Sequence, residues 1–354
     1  MKFKSLLKQL KQKLKKNVFY LIYKRKKTFE NERLDAFVRK YYNSESIDLD
    51  KVKRLLKLCY IYGGLRYKEF FSNHFEKKTW KERMKLIPCS AQNNLFFQVN
   101  SIEWLDLLED KGKCYNLFKD YYGRDLLAVS SKIESGENRS DVIHFVEKHP
   151  VFIVKPLKSA GGKGVKKVDI SSKGKDYLNC LFVEYPRGFV LEEQIEQVEE
   201  MAIVHRDSVN TIRIQTINYG DSIEIKWPCL RMGQGDSFVD NVFAGGVFVG
   251  VDVKTGKTFS PGKDALGHSF FEHPDSRIKL EGFQIPKWID LCDLLIKMAK
   301  LCPTCRVVGW DMALTENGWI MVEANFGPEL IFQDVLSDGF YEDFIHVRKQ
   351  LHAG

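Results

Sequence analysis

One stretch near the end of this 354-residue chain, Val307–Leu330, restricts the fold more than any other. Two apolar runs flank the sequence Glu-Asn-Gly at 316–318, a pattern that predicts a buried β-hairpin with a tight turn. Three polar side chains interrupt the apolar runs: Asp311, Glu323 and Asn325. The sequence therefore predicts a hairpin that takes two carboxylates and an amide into an apolar environment.

The expected hairpin geometry brings these polar groups together. The two polar residues of the second run are two positions apart, so they share one face of their strand. A three-residue loop with Gly318 in the left-handed conformation pairs Thr315 with Trp319. Counting back sets Asp311 opposite Glu323, and oxygen donors this close favour a hard cation such as Mg²⁺. The alternative is a hairpin whose acids face the solvent.

A second stretch, Val151–Ile170, predicts a strand, a glycine-rich loop and another strand. Lys155 lies inside the apolar first strand, so its ammonium group needs an anion nearby. The loop combines glycines, whose backbone can approach a ligand closely, with two side-chain donors: Ser159, Gly161, Gly162, Lys163 and Gly164. A strand follows where a Walker loop or a dinucleotide fingerprint requires a helix. The alternative is a flexible surface hairpin.

Two further segments place charged residues at or inside apolar strands. Residues 188–195 form a strand that runs into Glu192 and Glu193, a segment of the kind that serves as a hinge and offers backbone groups to a purine edge. Residues 205–217 set Arg213 on one face of a strand whose neighbours are apolar. An arginine in this position indicates phosphate or carboxylate binding.

Composition narrows the class of protein. With 44% hydrophobic and 29% charged residues, the chain has an ordinary globular composition. The formal net charge is +8, but residues 1–27 hold eleven Lys or Arg and no acid, so the rest is near neutral and a broad nucleic-acid surface is not expected. Eight scattered cysteines indicate reduced thiols in the cytoplasm. No apolar stretch approaches the roughly 20 residues of a membrane span.

The first hundred residues divide in two. Residues 1–27 predict a basic amphipathic helix of the kind that lies on an anionic membrane surface. The alternative is a helix packed on its own domain with a solvated basic face. Residues 28–100 predict a helical region without a chemical motif of its own.

In chain order, these segments resemble the ATP-grasp superfamily over about residues 101–345. The strings at 208–216, 240–246 and 309–313 are similar to the sugar-transfer-associated ATP-grasp family, whose teichuronopeptide-type relatives belong to bacterial surface-polysaccharide synthesis. The final hairpin looks like the magnesium hairpin of D-alanine–D-alanine ligases and of ribosomal-protein glutamate ligases.

The resemblance implies an α+β ATP-grasp fold, in which two α+β lobes clamp ATP, with a helical N-terminal region. The implied boundaries are a basic amphipathic helix at 1–27, a helical region at 28–100, an N-terminal lobe with the glycine-rich loop at 101–190, and a C-terminal lobe with the metal hairpin at 191–354.

The resemblance also implies a role for each site residue. ATP would contact the hinge, two lysines and the loop: Lys111, Lys155, Ser159, Gly161, Gly162, Lys163, Gly164, Glu192, Glu193 and Ile195. Glu193 is the side chain expected at adenine, and the ribose acid stays open among Glu196, Glu199 and Glu200. Two Mg²⁺ ions would be held by Asp311, Glu323 and Asn325. Three residues would face the transferring phosphoryl group: Arg213, Arg231 and Asn241.

The implied reaction is ATP-dependent carboxylate–amine ligation through an acyl phosphate, on a bacterial surface polysaccharide, capsule or precursor. Its substrates would be a small-molecule or glycan-linked carboxylate and an amine, with ATP and Mg²⁺ as cofactors. A glycosyltransferase or polysaccharide-synthesis protein would be the partner, and no nucleic acid is expected. The location would be the cytoplasm, with peripheral contact to the inner face of the membrane through residues 1–27. The alternatives are a sugar or polyol kinase and a non-catalytic nucleotide-binding partner of a glycosyltransferase.

Overall fold

The structure, a computed structural model, describes the following residues: 18, 20–26, 31–41, 48–130, 136–159, 162–174, 177–328, 333–336 and 340–353. Most of the predicted basic helix, residues 1–17, 19 and 27, lies outside these described residues. Gly161 of the glycine-rich loop lies outside them too. Residues 20–26 are helical, and Tyr20 and Tyr23 within them are exposed.

The region before residue 100 is helical, as predicted. Its helices are α1 (Asn31–Tyr41), α2 (Leu49–Leu58), α3 (Tyr67–Ser72), α4 (Trp80–Met84) and α5 (Cys89–Val99), with a π-helical turn at Cys59–Gly63 and a 3₁₀ turn at Phe75–Lys77. Capping side chains start two of them, because Asp48 accepts from Lys51 N and Thr79 forms a capping box with Glu82. The apolar faces of α1 to α3 pack into a core of their own around Phe70 and Phe71.

A four-stranded antiparallel sheet follows. Its elements are α6 (Glu103–Glu109), α7 (Lys111–Tyr122), β1 (Leu126–Val129), α8 (Gly136–Lys148), β2 (Val151–Pro156), β3 (Lys166–Asp169), α9 (Ile170–Lys173), α10 (Tyr177–Glu184) and β4 (Phe189–Glu193). The strand order is β1-β4-β2-β3, so β2 and β3 pair on either side of the glycine-rich loop. Since β4 belongs to this sheet, a lobe boundary at residue 190 would divide a strand, and we propose that the lobes meet after Glu193.

The second sheet has seven antiparallel strands in the order β11-β10-β5-β6-β7-β8-β9. Its elements are α11 (Glu199–Ala202), β5 (Thr211–Asn218), β6 (Ile223–Met232), a 3₁₀ turn (Val242–Ala244), β7 (Val247–Gly250), β8 (Gly262–Lys263), β9 (Ser269–Phe270), α12 (Trp288–Lys300), β10 (Val307–Thr315), β11 (Gly318–Asn325), α13 (Gln333–Leu336) and α14 (Tyr341–Ala353). The apolar side of α12 packs on β5, β6 and β11. Among the described residues, no helix is long and apolar enough to cross a bilayer.

The hairpin of β10 and β11 forms, with Asp311 opposite Glu323 as predicted. The predicted turn was wrong, because Thr315 pairs with Gly318 instead of Trp319. That difference shifts the register by one residue near the turn. An irregularity after Asp311 takes up the extra residue on β11 and restores the expected pair. The hairpin therefore reaches the predicted alignment through a bulge beside the carboxylates and not through one at the turn.

Candidate active site

A cavity of about 1400 Å³ is lined by strands of both sheets. All of the predicted site residues that the structure describes line this cavity, except Gly164. The two lysines, the two arginines and the hairpin acids therefore face one space. A volume of this size exceeds the roughly 300–1,000 Å³ of a typical small-molecule site.

Asp311 is a buried carboxylate in the wall of this cavity, with 2% of its surface exposed. It lies opposite Arg213 on the neighbouring strand β5, whose guanidinium donates to both carboxylate oxygens, with Nη2 at 2.9 Å from Oδ2. Arg231 Nη2 lies 3.4 Å from the same Oδ2. Burial raises the pKa of Asp311, but the two arginines outweigh it and hold that pKa below its ordinary value.

Arg231 is fixed by a second buried acid, Asp240, which is not among the predicted site residues. Its guanidinium donates to Thr211 Oγ1 at 3.0 Å and to Asp240 Oδ1 at 3.1 Å. Asp240 also accepts from the backbone N–H of Thr211 at 3.2 Å. Both predicted arginines are thus held rigidly by carboxylates. The only signal for Asp240 was its position in the string 240–246.

Glu323 and Asn325 are less constrained than Asp311. The side chain of Glu323 is 36% exposed, and its nearest cation is Lys111, with Nζ at 3.5 Å from Oε1. Asn325 has a buried amide Nδ2 with no hydrogen-bond partner among the described residues. A carboxylate offers about four lone-pair directions, so Asp311 keeps acceptor capacity beyond the two that Arg213 uses. The carboxylate oxygens of Asp311 and Glu323 and the amide oxygen of Asn325 fit a hard cation such as Mg²⁺. The unpartnered Nδ2 is a hydrogen-bond donor, which suits a phosphate oxygen and not a cation.

Lys155 finds the anion that its place in an apolar strand requires. Its Nζ donates to Glu192 Oε2 at 2.9 Å, and Arg124 Nη2 donates to the same oxygen at 2.7 Å. Burial raises the pKa of Glu192, but the two cations outweigh it and bring that pKa to about 2. Arg124 also donates to the carbonyl of Met321 at 2.6 Å, so this triad joins the hinge strand to the hairpin.

The other hinge and phosphate residues take the following places. Glu193 is partly exposed and accepts from the backbone N–H of Asp125 at 2.9 Å, while Ile195 lines the cavity beyond it. Lys111 donates to the backbone carbonyl of Ser159 at 3.1 Å, so it ties the start of α7 to the glycine-rich loop. Lys163 lines the cavity from the same loop.

The loop glycines differ in role. Gly162 and Gly164 both have positive φ, 71° and 73°. A Cβ at Gly162 would meet only Asn241 Cβ at 3.9 Å, so the backbone there faces the cavity. A Cβ at Gly164 would lie 2.9 Å from Pro156 Cγ, and Tyr185 OH donates to the Gly164 carbonyl at 2.8 Å. Gly164 therefore packs the loop against β2 and does not line the cavity.

Asn241 lies beside the glycine-rich loop, with its Cβ 3.9 Å from where a Cβ at Gly162 would be. Its Oδ1 accepts from Phe243 N at 2.9 Å and caps the 3₁₀ turn that follows β6. The amide nitrogen is the part of this side chain that is left for a ligand. Asn241 thus has a structural role together with its predicted one.

The chain matches a known protein family. Residues 90–348 match the model described as sugar-transfer associated ATP-grasp. The chain belongs to this family. Its two sheets are therefore the lobes of an ATP-grasp fold, and family membership implies the use of ATP. The matched range begins at residue 90, so most of the N-terminal helical region precedes it.

Solved structures of ATP-grasp proteins are similar to this ATP-grasp chain at low identity. A D-alanine–D-alanine ligase from Helicobacter pylori is 14% identical with a TM-score of 0.43, covering 71% of this chain and 63% of that chain. A D-alanine–D-alanine ligase from Bacillus anthracis is 13% identical with a TM-score of 0.43, covering 75% and 76%. A D-cycloserine synthetase is 10% identical with a TM-score of 0.43, covering 78% and 86%. No curated protein matches the chain.

Proposed function

We propose that this ATP-grasp protein is an ATP-dependent carboxylate–amine ligase. The observation that supports it most is the convergence of Lys111, Lys155, Arg213, Arg231 and the hairpin acids on one cavity. Phosphoryl transfer depends on positioning and charge neutralisation more than on covalent help from the protein. This set of cations and oxygen donors provides both.

The chain's own residues would act in three ways. ATP, when bound, would supply the phosphoryl group. Asp311, Glu323 and Asn325 would hold Mg²⁺, which would neutralise the charge of the phosphates. Lys111 and Lys155 would hold the phosphates beneath the glycine-rich loop. Two guanidiniums would stabilise charge that develops on the phosphoryl group: Arg213 and Arg231. Because Asp311 and Asp240 already fix these guanidiniums, little reorganisation is needed during the reaction.

The proposed chemistry proceeds in two displacements. The substrate carboxylate attacks the γ-phosphorus, which forms an acyl phosphate and releases ADP. The amine then attacks the acyl carbon, loses a proton and displaces phosphate, leaving an amide. A protein nucleophile is not required. Cys229, the cysteine in the cavity wall, is suited poorly to that role because burial raises its pKa to about 12.

We propose a surface glycan or its precursor as the substrate that supplies the carboxylate. The family description, sugar-transfer associated, supports a sugar-containing acceptor. A uronic acid or a glycan-linked amino acid would provide the acid. A glycosyltransferase or another polysaccharide-synthesis protein would act beside it.

The reaction itself is tested by measuring ADP. Release of ADP over many turnovers should require an acid, an amine and Mg²⁺ together, and hydroxylamine in place of the amine should yield a hydroxamate. Omitting the acid should reduce ADP release to background. A phosphorylated sugar or polyol formed without free phosphate would identify a kinase and overturn the ligase proposal.

We also propose that residues 1–17 bind an anionic membrane surface. They hold seven lysines and no acid. Each lysine close to an anionic membrane surface contributes about 1 kcal/mol to the free energy of binding. A chain that lacks residues 1–17 keeps Arg25, whose guanidinium donates to the carbonyl of Ile61 at 3.4 Å. The shortened chain should bind phosphatidylglycerol vesicles at least about 100-fold more weakly and bind ATP unchanged. Neutral phosphatidylcholine vesicles are the control, and equal binding by both chains to anionic vesicles would reject the proposal.

A further inference from the structure

The cavity extends into a part of the chain that precedes the family match. Tyr60, Arg66, Tyr67 and Glu69 line it, and all four come before residue 90. The sequence of this region contains no chemical motif of its own. The helical N-terminal region therefore supplies a wall of the site.

This wall is held firmly against the C-terminal half of the chain. The side chain of Gln333 accepts from Ile87 N and donates to Ile87 O, each at 2.8 Å. Asn100 exchanges two hydrogen bonds with the backbone of Val307, also at 2.8 Å each. Lys263 Nζ lies 2.9 Å from His74 Nε2. These contacts at Ile87, Asn100 and His74 hold the helical region that contains α3 against the C-terminal half of the chain.

Arg66 is the distinctive residue of this wall. It precedes the first turn of α3, and its backbone N–H donates to Glu69 Oε2 at 2.9 Å. The deeper arginines, Arg213 and Arg231, are each paired with a buried carboxylate. The guanidinium of Arg66 is exposed and forms no ion pair with any residue in the described part of the chain. Its charge is therefore available to an anionic ligand, for which guanidinium offers a planar two-pronged donor.

Aromatic rings surround the same space. Tyr60 and Tyr67 line it with ring centroids 5.8 Å apart. Trp227 stacks on Phe340 at 3.9 Å, and both rings also line the cavity. Trp227 has a φ of 51° inside β6, a conformation that costs a non-glycine residue roughly 1–3 kcal/mol. Aromatic faces of this kind pack against the apolar face of a sugar ring.

We infer that Arg66, with Tyr60 and Tyr67, forms the subsite for an anionic sugar that serves as the second substrate. The inference rests on the proposed function for the reaction, but its binding chemistry is independent of turnover. The cavity volume, about 1400 Å³, leaves room for a sugar beside a nucleotide. Arg66 binds an anionic group of the sugar that does not react with ATP, either a carboxylate or a phosphate, and the tyrosine rings contact the ring itself.

Calorimetry on the full chain saturated with Mg·ADP tests this subsite. The probes are D-glucuronate and D-glucose 1-phosphate, with D-glucose as the neutral counterpart. Arg66→Ala should weaken binding of at least one anionic probe tenfold or more, and Arg66→Lys should recover part of the loss. Arg54→Ala is the matched control, because Arg54 is an exposed arginine of α2 that does not line the cavity. ADP affinity should be unchanged in all three variants.

Each outcome decides the inference. The inference is overturned if neither anion binds wild type at least tenfold more tightly than it binds Arg66→Ala. It is also overturned if Arg54→Ala loses as much affinity for the anions as Arg66→Ala does. Equal binding of D-glucose and both anions overturns it as well. Arg66-dependent binding without amide formation from any acid and amine would keep the subsite and reject the ligase proposal. The preferred probe shows whether the anion is a carboxylate or a phosphate.

Discussion

Glu323→Gln should lower turnover by about 10³-fold, because it removes a negative metal ligand and metal neutralisation is worth several kcal/mol. The free energy of unfolding should stay within about 0.5 kcal/mol of wild type. The structural reason is that the Glu323 side chain is 36% exposed and its nearest cation, Lys111, is 3.5 Å away. ADP release and a urea titration measure the two quantities.

Asp311→Asn should lose as much turnover and should also unfold more easily. The substitution leaves Arg213, whose side chain is only 18% exposed, without its carboxylate, and breaking a buried ion pair from one side costs roughly 3–5 kcal/mol. The two variants thus distinguish Glu323, which would act as a metal ligand alone, from Asp311, which would bind metal and also stabilise the fold. Full turnover in Glu323→Gln would contradict the metal role of the hairpin. An Asp311→Asn protein as stable as wild type would contradict the buried arginine cluster.

The sequence gives no reason to treat these two carboxylates differently. Counting back from the predicted turn places Asp311 opposite Glu323, and this pairing is confirmed although the predicted turn was wrong. Burial depends on what lies across the sheet, and β5 brings Arg213 to Asp311 from 98 residues away. A local pattern can therefore predict the pair, but not which member is enclosed.

The partner of Lys155 illustrates the same limit. An ammonium in an apolar strand predicts an anion nearby, and the expected anions were the phosphates of ATP. The structure adds Glu192, which lies on the adjacent strand, and Arg124, which follows α7 without any apolar context to mark it. The cation of a buried pair can be found from sequence when an apolar run surrounds it. Arg124 lacks that signal.

The N-terminal region shows what periodicity can and cannot provide. Apolar spacing predicted helices before residue 100, and the structure contains them. Nothing in that spacing indicates that Arg66 and Tyr67 face the same cavity as Asp311, because the wall forms only when this region packs on the C-terminal half. Helix formation is local in sequence, whereas the shape of a site depends on how distant elements dock.

Glu192→Gln should lower the free energy of unfolding by about 3–5 kcal/mol at pH 7, since it leaves the buried Arg124 and the half-buried Lys155 around a neutral amide. Urea titrations of wild type and variant measure the difference. Glu281→Gln is the control, because Glu281 is exposed and forms no ion pair with the residues that the structure describes, so its stability should match wild type.

The gap between wild type and Glu192→Gln should narrow as the pH falls. The pKa of Glu192 is about 2 in the folded chain against an ordinary 4.5, so its ionised form stabilises the fold fully above about pH 4.5. That contribution, about 3 kcal/mol for a shift of this size, is lost as the pH drops from 4.5 towards 2. The variant has no such group to titrate, so titrations at pH 7, 5, 4 and 3 should show the two stabilities converging. A gap that stays constant down to pH 3 would mean that ionised Glu192 is not what holds Arg124 and Lys155 in place.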